Sequence, residues 1–582
     1  MWFSPWRRIL RGRSGDAKPS GLRAGTKFVE EDTGVEYTYD PVMKDWKKKV
    51  APYSAIVCKD GSTVWAEDAS GKTIASGESG VDDTSVIQSA IDSLDSRGGN
   101  VFVKGGEYYI ITTINWKNSV HLIGERGLHR WEDLETTFIE KGADPLVKID
   151  LPEKAVGDGG SIENINFSSL DADGNPKRTN TCILTQRNAN LILRNLYFRG
   201  FAPAIDICGS WELIMENISI AYCGSNTISE PAIHIRDYGE GIYSNNISIH
   251  RLMGGKHEYA AILIEGDSNV VLMSNIRLED GEGIHLKISS SSVEGIMLKN
   301  FALSGGTPYA IETSGKLLLS NGLLYGVRAD TSLIHVAWPC GVNITNVDFR
   351  YAQKYAVFNE SFVTIENSPF WNCYGGVYNK NRADIVGCMF SKIGPNPAIK
   401  HEAVGEGGRI IGNRFDASSS DFGSLNKIIE LVDAENIIIS GNTFDGKNID
   451  GVDGVVESGS SNNNIVYGCI FWGFKGTPII RVGADTILFK NSGYLTENSG
   501  VATFSGDGVA TVFEIGAHGL VTTDPSKIAV KITPASSDAI AASPCVGYVD
   551  PVDNTKIKVK FSSAPASGAN NVKIVWYAEV IS

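Results

Sequence analysis

Short segments in which one residue stands between two apolar residues recur along the middle of this chain. Five of them lie at 205–207, 233–235, 262–264, 284–286 and 311–313. Residues of a β-strand alternate between its two faces, so the flanking apolar residues point inward and the middle residue points outward. If such strands stack in parallel, like positions lie about 4.8 Å apart. The segments therefore predict outward columns of side chains on which chemistry could take place.

Two such columns carry most of the polar groups. The middle residues are Asp206, His234, Leu263, His285 and Glu312. The next outward positions are Cys208, Arg236, Glu265, Lys287 and Ser314, and Asp237 and Asp267 lie in the turns that follow. Glycoside hydrolysis needs two carboxyl groups about 5–5.5 Å apart for retention or about 6.5–9.5 Å apart for inversion. Carboxylates one or two coils apart fall in these ranges, so Asp206, Asp237, Glu265 and Glu312 are the predicted acid and base candidates.

Cations and aromatic rings beside these carboxylates could hold a sugar chain, because sugar faces stack on aromatic rings. The predicted substrate-binding residues are His234, Arg236, His285, Lys287, Tyr238 and Tyr259. Other aromatic residues in or beside turns are Trp211, Tyr243, Tyr309, Trp338, Trp371, Tyr374 and Trp472. A lyase is a second reading of the same face, with Arg236 or Lys287 as cation or base. The plain alternative is an ordinary solvated sheet, whose face also carries alternating charges.

A longer repeat indicates how these segments come to be stacked. Its unit is an alternating apolar run, an Asn and a second alternating run, as at 161–167, 192–198, 214–220, 243–249 and 272–278. The Asn recurs at 300, 321, 346, 367, 413 and 442, with Cys388 and Cys469 near this position in two units. Intervals of about 20 to 30 residues are typical of one coil of a parallel β-helix, and about a dozen coils are predicted. The Asn is predicted in a turn, with its amide bonded to the neighbouring coils.

A segment ahead of the repeats predicts a helix that covers the open end of the coil. Asp83 or Thr84 is the predicted cap, and the apolar face consists of Val86, Ile87, Ala90, Ile91 and Leu94. Its Asp-Asp-Thr at 82–84 and Ile-Gln-x-Ala-Ile at 87–91 closely resemble the first motif of the pectin-lyase-like superfamily. That resemblance covers roughly residues 55 to 495. It implies an all-β, right-handed parallel β-helix with a short N-terminal capping helix, and it is specific for fold, not for reaction.

Two flanking segments complete the chain. Residues 1–30 carry seven Lys or Arg against two Asp or Glu, and a small hairpin is predicted around 32–34. After about residue 498 the Asn repeat stops, and short alternating segments separated by Gly, Pro and Asn predict a C-terminal β-sandwich. The predicted domains are an N-terminal arm at 1–52, the β-helix at 53–497 and the β-sandwich at 498–582.

A basic aromatic arm, a β-helical shaft and a C-terminal sandwich together resemble the tailspikes and spikes of phages and archaeal viruses. The resemblance implies a homotrimer whose arm docks to virion tail or portal-vertex proteins. It also implies binding, and sometimes cleavage, of a host surface polysaccharide or glycoprotein glycan. The expected location is the virion, after assembly in the host cytoplasm. The alternatives are a cellular polysaccharide lyase or hydrolase and a structural spike without glycan activity.

Composition and missing motifs disfavour other classes. The formal net charge of -14 repels phosphate backbones, so no nucleic acid partner is expected. No window reaches the roughly 18 apolar residues of a membrane span, and the N-terminus lacks the apolar run of a secretion signal. Metal-ligand spacings, a Walker loop and Gly-x-Ser-x-Gly are missing, so no metal or cofactor is predicted. The polygalacturonase set of Asn-Thr-Asp, Gly-His-Gly and Arg-Ile-Lys is missing as well.

The nine cysteines form no CxxC pair, and an odd number cannot be fully bridged within one chain. Most are predicted to be small buried apolar residues. Cys208 with Cys223 and Cys373 with Cys388 stay open as disulfides, since each pair could lie on neighbouring coils.

Overall fold

The structure is a computed structural model that describes residues 9–13, 17–18, 26–30, 36–40, 45–48, 53–94, 98–116, 119–125, 136–150, 159–239, 241–326, 332–402 and 407–581. The chain divides into two units. The first comprises residues 1–169 and 188–197, and the second comprises 170–187 and 198–582. None of the described helices has the length and apolarity needed to span a bilayer.

The arm at the start of the first unit is a four-stranded sheet of Ile9–Gly12, Lys27–Glu30, Glu36–Asp40 and Asp45–Lys48. The second and third strands pair antiparallel, so the predicted hairpin is confirmed, although its turn at 32–34 lies outside the described residues. Leu10, Phe28 and Tyr39 are buried. The arm therefore has a small core of its own.

The rest of the first unit begins the coil. Its strands are Ala55–Asp60, Thr63–Asp68, Thr73–Glu78, Gly99–Val103, Gly106–Ile110, Ile114–Asn115, Val120–Gly124, Thr136–Glu140, Val147–Asp150, Ser161–Ser168 and most of Ile192–Arg199. The first three strands pair antiparallel. Later pairings, such as Val120–Gly124 on Gly99–Val103, are parallel.

The predicted capping helix is present at Asp83–Asp92, but its N-cap is Asp82 and not Asp83 or Thr84. Asp83 is buried, where its carboxylate accepts hydrogen bonds from Lys59 Nζ at 2.9 Å and from the Tyr109 amide at 2.7 Å. Thr84 Oγ1 accepts from the Ile111 amide at 2.9 Å. Because Asp83 and Thr84 bond the adjoining strands, they are not available to cap the helix.

The second unit contains two long parallel sheets. Strands of sheet 1 carry the Asn repeat and are Ile214–Ala221, Asn245–Gly255, Asn269–Gly281, Ile296–Gly305, Leu317–Tyr325, Gly341–Arg350, Phe362–Glu366, Pro369–Cys373, Arg382–Val386, Met389–Ile393, Gly408–Ile411, Arg414–Asp416, Ile437–Ser440, Thr443–Asp445, Ile465–Tyr467, Ile470–Trp472 and Ile487–Phe489. Strands of sheet 2 carry the short polar segments and are Ile183–Gln186, Ile205–Cys208, Ile233–Arg236, Ala260–Ile264, Ile284–Ile288, Tyr309–Thr313, Ser332–Val336, Tyr355–Asn359, Gly375–Asn379, Ile399–Glu402, Lys427–Val432, Asp453–Ser458 and Ile479–Ile480. Because the chain passes between the sheets in every coil, the predicted parallel β-helix of about a dozen coils is confirmed.

The recurring Asn bends the strands of sheet 1. From Asn217 to Asn367 it adopts φ between 50° and 57°, a left-handed conformation that Asn tolerates better than most residues. Its amide forms the predicted ladder in places, as where Asn346 Nδ2 donates to Asn321 Oδ1 at 3.3 Å. In later coils a glycine takes the left-handed position, and a buried residue follows it. Asn442 Oδ1 there accepts from the Asn413 amide at 2.7 Å.

The interior of the later coils contains a column of stacked phenylalanines. The rings of Phe349, Phe370, Phe390, Phe415, Phe444 and Phe471 are each fully or almost fully buried. Successive ring centroids are 4.5 to 5.0 Å apart, and their planes are within 12° of parallel. This stacking sets like residues of successive coils in register, which is what places side chains in columns on the outer face.

None of the nine cysteines, all of which lie in described residues, forms a disulfide. The two pairs left open by the sequence are therefore unbridged. Seven of the nine are buried, as expected. Burial raises the pKa of the Cys223 thiol to about 11 and that of the Cys373 thiol to about 12.

The C-terminal module is the predicted β-sandwich. One sheet has Glu497–Gly506, Gly568–Val580 and Ile528–Pro534, and the other has Val512–Ala517, Lys556–Phe561 and Cys545–Val549. Short helices at Pro525–Lys527 and Ser537–Ala541 connect the strands. Ile557, Trp576 and Ala578 form one core cluster, and Phe561, Val572 and Ile574 form another.

Candidate functional site

The register of sheet 2 defines the outward column that the sequence suggested. In order along the coil it contains Asp206, His234, Leu263, Lys287, Glu312, His335, Phe358, Tyr378, Lys400 and Glu430. Lys287 thus occupies the position predicted for His285. The residue that follows Glu265 in the second column is then Ser289, whose amide donates to the Ile264 carbonyl at 3.1 Å.

His285 is wrong as a predicted face residue. It is fully buried, its Nε2 lies 3.0 Å from the Ser304 carbonyl oxygen, and its ring centroid lies 4.9 Å from that of His257. The run Ile-His-Leu-Lys-Ile at 284–288 fits an apolar-polar-apolar pattern in two frames. Only the pairing with 260–264 selects the frame that exposes Lys287.

Asp206 and His234 each pair with a charged side chain of the next coil, and His234 also approaches Glu230 in the turn that precedes its strand. Arg236 binds Asp206 through two hydrogen bonds of 2.9 and 2.7 Å. His234 Nε2 lies 2.8 Å from Glu265 Oε1, and its Nδ1 lies 3.5 Å from Glu230 Oε2. Burial by itself would lower the pKa of His234, but the hydrogen bonds to the two carboxylates outweigh it and raise the pKa to about 9. His234 is therefore a cation at neutral pH.

A shallow, open depression of about 380 Å³ lies beside these pairs. It is lined by Arg236, Asp237, Glu265, Gly266, Ser289 and Ser290. Asp237 Oδ2 accepts a hydrogen bond from the Asp267 amide at 2.5 Å. Asp237 Oδ1 is buried and has no hydrogen-bond partner within the described part of the chain. The Asp237 carboxyl is thus held by a hydrogen bond to only one of its two oxygens.

The two carboxyls of this depression have pKa values shifted in opposite directions. Burial raises the pKa of Asp237. The hydrogen bond from His234 lowers the pKa of Glu265. Adjacent carboxyls whose environments separate their pKa values are suited to acid and base roles. Asp237 packs directly against Gly266. At the glycine φ of 74°, a Cβ on residue 266 would lie 2.2 Å from Asp237 Oδ2, so only a glycine leaves room for the Asp237 carboxyl.

Glu312 belongs to a different group of charges. It lies three register steps beyond His234 in the outward column of sheet 2. Its carboxylate lies 3.6 Å from Lys287 Nζ and 3.8 Å from His335 Nδ1. His335 Nε2 in turn lies 3.1 Å from Glu360 Oε2. The approach of His335 lowers the pKa of Glu312. The depression lined by Asp237 and Glu265 does not include Glu312.

His335 and Glu360 were missed by the sequence reasoning. A signal was present, because 332–336 reads Ser-Leu-Ile-His-Val and places a polar residue between two apolar ones. Among the predicted binding aromatics, Tyr238 is 37% exposed and lies under Arg187, whose guanidinium is 4.8 Å from the ring centroid. Tyr259 lies under Lys287 Nζ at 5.5 Å. Within the described residues, no group of three or more His, Cys, Asp and Glu side chains is arranged to hold a metal ion.

No family model matches this chain, and no curated protein matches it. Several solved structures are similar to it. Tailspike protein 3 of bacteriophage CBA120 is 12% identical with a TM-score of 0.42, over 68% of this chain and 59% of that one. The tailspike gp49 of Pseudomonas phage LKA1 is 11% identical with a TM-score of 0.31, over 85% of this chain and 92% of that one. The catalytic unit of a GH87 α-1,3-glucanase from Streptomyces thermodiastaticus is 12% identical with a TM-score of 0.32, over 70% of this chain and 66% of that one.

Phage tailspikes are thus among the similar structures, as the sequence resemblance indicated. The chain spans 59% of the length of the CBA120 tailspike. At these identities the likeness concerns the fold alone.

Proposed function

We propose that this protein is a tailspike-like protein that binds a surface glycan on sheet 2 and hydrolyses it at the depression lined by Asp237 and Glu265. One observation carries the proposal. The two carboxyls line the same open depression, and their pKa values move in opposite directions for identifiable reasons. Glycoside hydrolysis uses one carboxyl whose pKa is raised, as the acid, beside a second carboxylate whose pKa is lower.

In this proposal Asp237 is the general acid. The proton is carried on Oδ2, because Oδ1 is buried, and it passes to the glycosidic oxygen as the bond from that oxygen to the anomeric carbon breaks. The leaving sugar then departs as an alcohol. Glu265 is the second carboxylate of the reaction, and it acts at the anomeric carbon. It either activates a water or attacks the anomeric carbon itself, and water then completes the hydrolysis. The products are two shorter sugar chains, one with a new reducing end.

The neighbouring residues support these roles by charge and position. His234 is a cation that holds the Glu265 carboxylate and keeps it ionised. Arg236 lines the depression while Asp206 fixes its guanidinium from below, so it can donate to sugar hydroxyls without moving. The lyase alternative is weaker here. The bidentate bond to Asp206 raises the pKa of Arg236 still further, and an arginine held as a cation cannot serve as the base.

The proposal includes a virion location and a homotrimer, with the 1–52 arm as the part that docks to virion tail or portal-vertex proteins. Leu263, the aliphatic residue of the outward column on sheet 2 that could have marked a trimer contact, is only 5% exposed. Exposed aliphatic side chains lie instead on sheet 1, where Ile214, Leu272 and Leu318 share one column with Ser248 and Met297. We therefore assign the contact to sheet 1. Light scattering at the mass of one 62.7 kDa chain would contradict the trimer.

The test compares Asp237→Asn, Glu265→Gln and Glu312→Gln with the wild type on purified bacterial and archaeal surface polysaccharides. New reducing ends and the masses of the products are measured. We expect Asp237→Asn and Glu265→Gln to lower turnover by at least about 100-fold, the lower range for a positioned acid or base. Glu312→Gln is the matched control, since it alters a carboxylate of the same sheet outside the depression. Equal losses in all three variants would contradict the assignment of the site.

A glycan-binding spike without turnover is the second candidate. The contacts along sheet 2 favour it, because Glu312 lies within 4 Å of Lys287 and His335, and His335 lies 3.1 Å from Glu360, so these side chains hold one another in place as on a preformed binding face. In that case polysaccharide binds to the wild type and no reducing ends appear. Glu265→Gln should then weaken binding by about 1–3 kcal/mol, through the loss of a charged hydrogen bond.

A further inference from the structure

A second row of outward side chains lies on sheet 1, in the later coils. The register pairs Trp371 with Ser391, Ser391 with Asp416, Asp416 with Asp445 and Asp445 with Trp472. Trp371 is 38% exposed and Trp472 is 51% exposed, whereas Ser391 is 8% exposed and Asp445 1%. We call these five residues the Trp row. Two accessible indole rings thus stand at the ends of a row whose middle consists of shorter, more buried side chains.

The spacing of the two rings matches a short sugar chain. They are four strand steps apart, which is about 19 Å, and the centres of five successive pyranose rings at intervals of about 5 Å span the same distance. Exposed indoles are surfaces on which the apolar face of a sugar ring can stack. Each ring also has an ammonium group beside it. Lys392 Nζ is 5.0 Å from the centroid of Trp371, and Lys447 Nζ is 5.8 Å from that of Trp472.

The polar groups of the Trp row balance one another. Lys447 Nζ lies 2.7 Å from Asp445 Oδ2 and 3.2 Å from Asp416 Oδ2. Two carboxylates and the two lysines leave no net charge, in a chain with a formal net charge of -14. A neutral ligand therefore pays no electrostatic penalty here, whereas a polyanion meets an acidic protein. Sugar hydroxyl groups can bond the partly exposed Asp416 carboxylate and the ammonium groups.

The surroundings of the Trp row are fixed before any ligand arrives. The loop after Asp416 is tied back to the strand of Trp371. Asp421 accepts from Asn372 Nδ2 at 2.5 Å, and its amide donates to Asn372 Oδ1 at 2.7 Å. Ser420 Oγ donates to the Gly394 carbonyl at 2.8 Å. A preformed surface binds with less loss of conformational entropy than a mobile one.

We propose that the Trp row is a binding site for a neutral oligosaccharide of five pyranose units, with one terminal sugar on each indole. The site is on sheet 1, and the candidate hydrolytic depression is on sheet 2. It does not depend on hydrolysis at Asp237 and Glu265. A chain that holds glycan on sheet 1 keeps its ligand when the sheet 2 site is inactive.

The test uses the full chain and measures binding by calorimetry and by tryptophan fluorescence. The probes are maltopentaose, cellopentaose, laminaripentaose and chitopentaose, each with its own disaccharide. We expect at least one pentasaccharide to bind at least 10-fold more tightly than its disaccharide. Trp371→Ala and Trp472→Ala should each abolish this length dependence. Trp338→Ala is the matched control, because Trp338 is 66% exposed and lies outside the row.

Each outcome either supports or overturns the proposed oligosaccharide site. Loss in both row variants, with Trp338→Ala unchanged, supports the site on sheet 1. Loss in Glu265→Gln but not in the row variants overturns it, as does no binding by any pentasaccharide. If Trp371→Ala and Trp472→Ala change the mass found by light scattering and leave sugar binding intact, the rings contact a second copy of the chain and the proposal is wrong. Trp371→Phe, which keeps a ring, should retain part of the affinity and controls for misfolding.

Discussion

His234 provides the sharpest test of the electrostatics of the candidate site. Its ring lies between the carboxylates of Glu230 and Glu265 and is 8% exposed. We predict that its pKa is about 9, compared with an ordinary value of 6.5. Glu265→Gln removes the nearer carboxylate without changing the shape of the side chain. Because burial then opposes the charge with only Glu230 left to support it, the pKa of His234 should fall by at least about one unit.

The expected effect on stability follows from the same numbers. A pKa raised from 6.5 to about 9 corresponds to about 3 kcal/mol in favour of the folded state. Both glutamates are more than a third exposed, so solvent screening reduces this to about 1–3 kcal/mol. Since the folded pKa is the higher one, the contribution is complete below about pH 6.5. It is lost as the pH rises through about 9.

The assay is hydrogen exchange at the C2 carbon of each histidine, followed by mass spectrometry over a pH series. It gives the pKa of individual histidines in the intact protein. His401 is an internal reference, because burial lowers its pKa to about 4. We expect the pKa values of His234 and His401 to differ by several units in the wild type, and Glu265→Gln to move only that of His234. A wild-type pKa at or below 6.5 for His234 would refute the reasoning, and with it the ionised state assigned to Glu265.

Two further predictions concern the coil. Gly266→Ala should lower the melting temperature more than Gly174→Ala. Both glycines have φ near 80°, but a Cβ at Gly266 would lie 2.2 Å from Asp237, whereas a Cβ at Gly174 would have no atom within 4 Å. Equal losses would show that the contact with Asp237 does not affect stability. Asn442→Ala should cost about 2–4 kcal/mol of unfolding free energy, because Asn442 Oδ1 accepts from the Asn413 amide at 2.7 Å and a buried donor would be left unpaired. The exposed Asn343→Ala on the same sheet is its control in chemical denaturation, and similar midpoints for both would contradict a structural role for the buried ladder.

Much of the architecture is readable from local pattern. Period-two alternation, the recurring Asn and the initial Asp-Asp-Thr segment specify strands, coil length and fold, because each coil repeats the same local problem of burying one face. The cap of the helix was harder. Asp82, Asp83 and Thr84 are all capable N-caps, and only the contacts of Asp83 with Lys59 and Tyr109 show which of them is used elsewhere.

The candidate site was predicted in composition but not in arrangement. The structure does bring together Asp206, His234, Arg236, Asp237 and Glu265. They come from adjacent coils, and in each of their strands only one assignment of inward and outward residues places the apolar side chains inside. Glu312 and Lys287 lie in a separate charge group with His335. Their separation depends on the number of coils between them, which the spacing of the segments could only approximate.

By itself, the sequence determined which residues alternate and therefore which elements form, because side-chain direction in a strand depends only on parity. The tertiary structure decided the register between coils, and this exchanged His285 for Lys287 on the outer face. A shift of one residue reverses every side chain of a strand, and that choice is made by the packing of the neighbouring coils. The same stacking brings Trp371 and Trp472, 101 positions apart in the chain, into one outward row. No local pattern records such a distance, because it arises only when whole coils are laid one upon another.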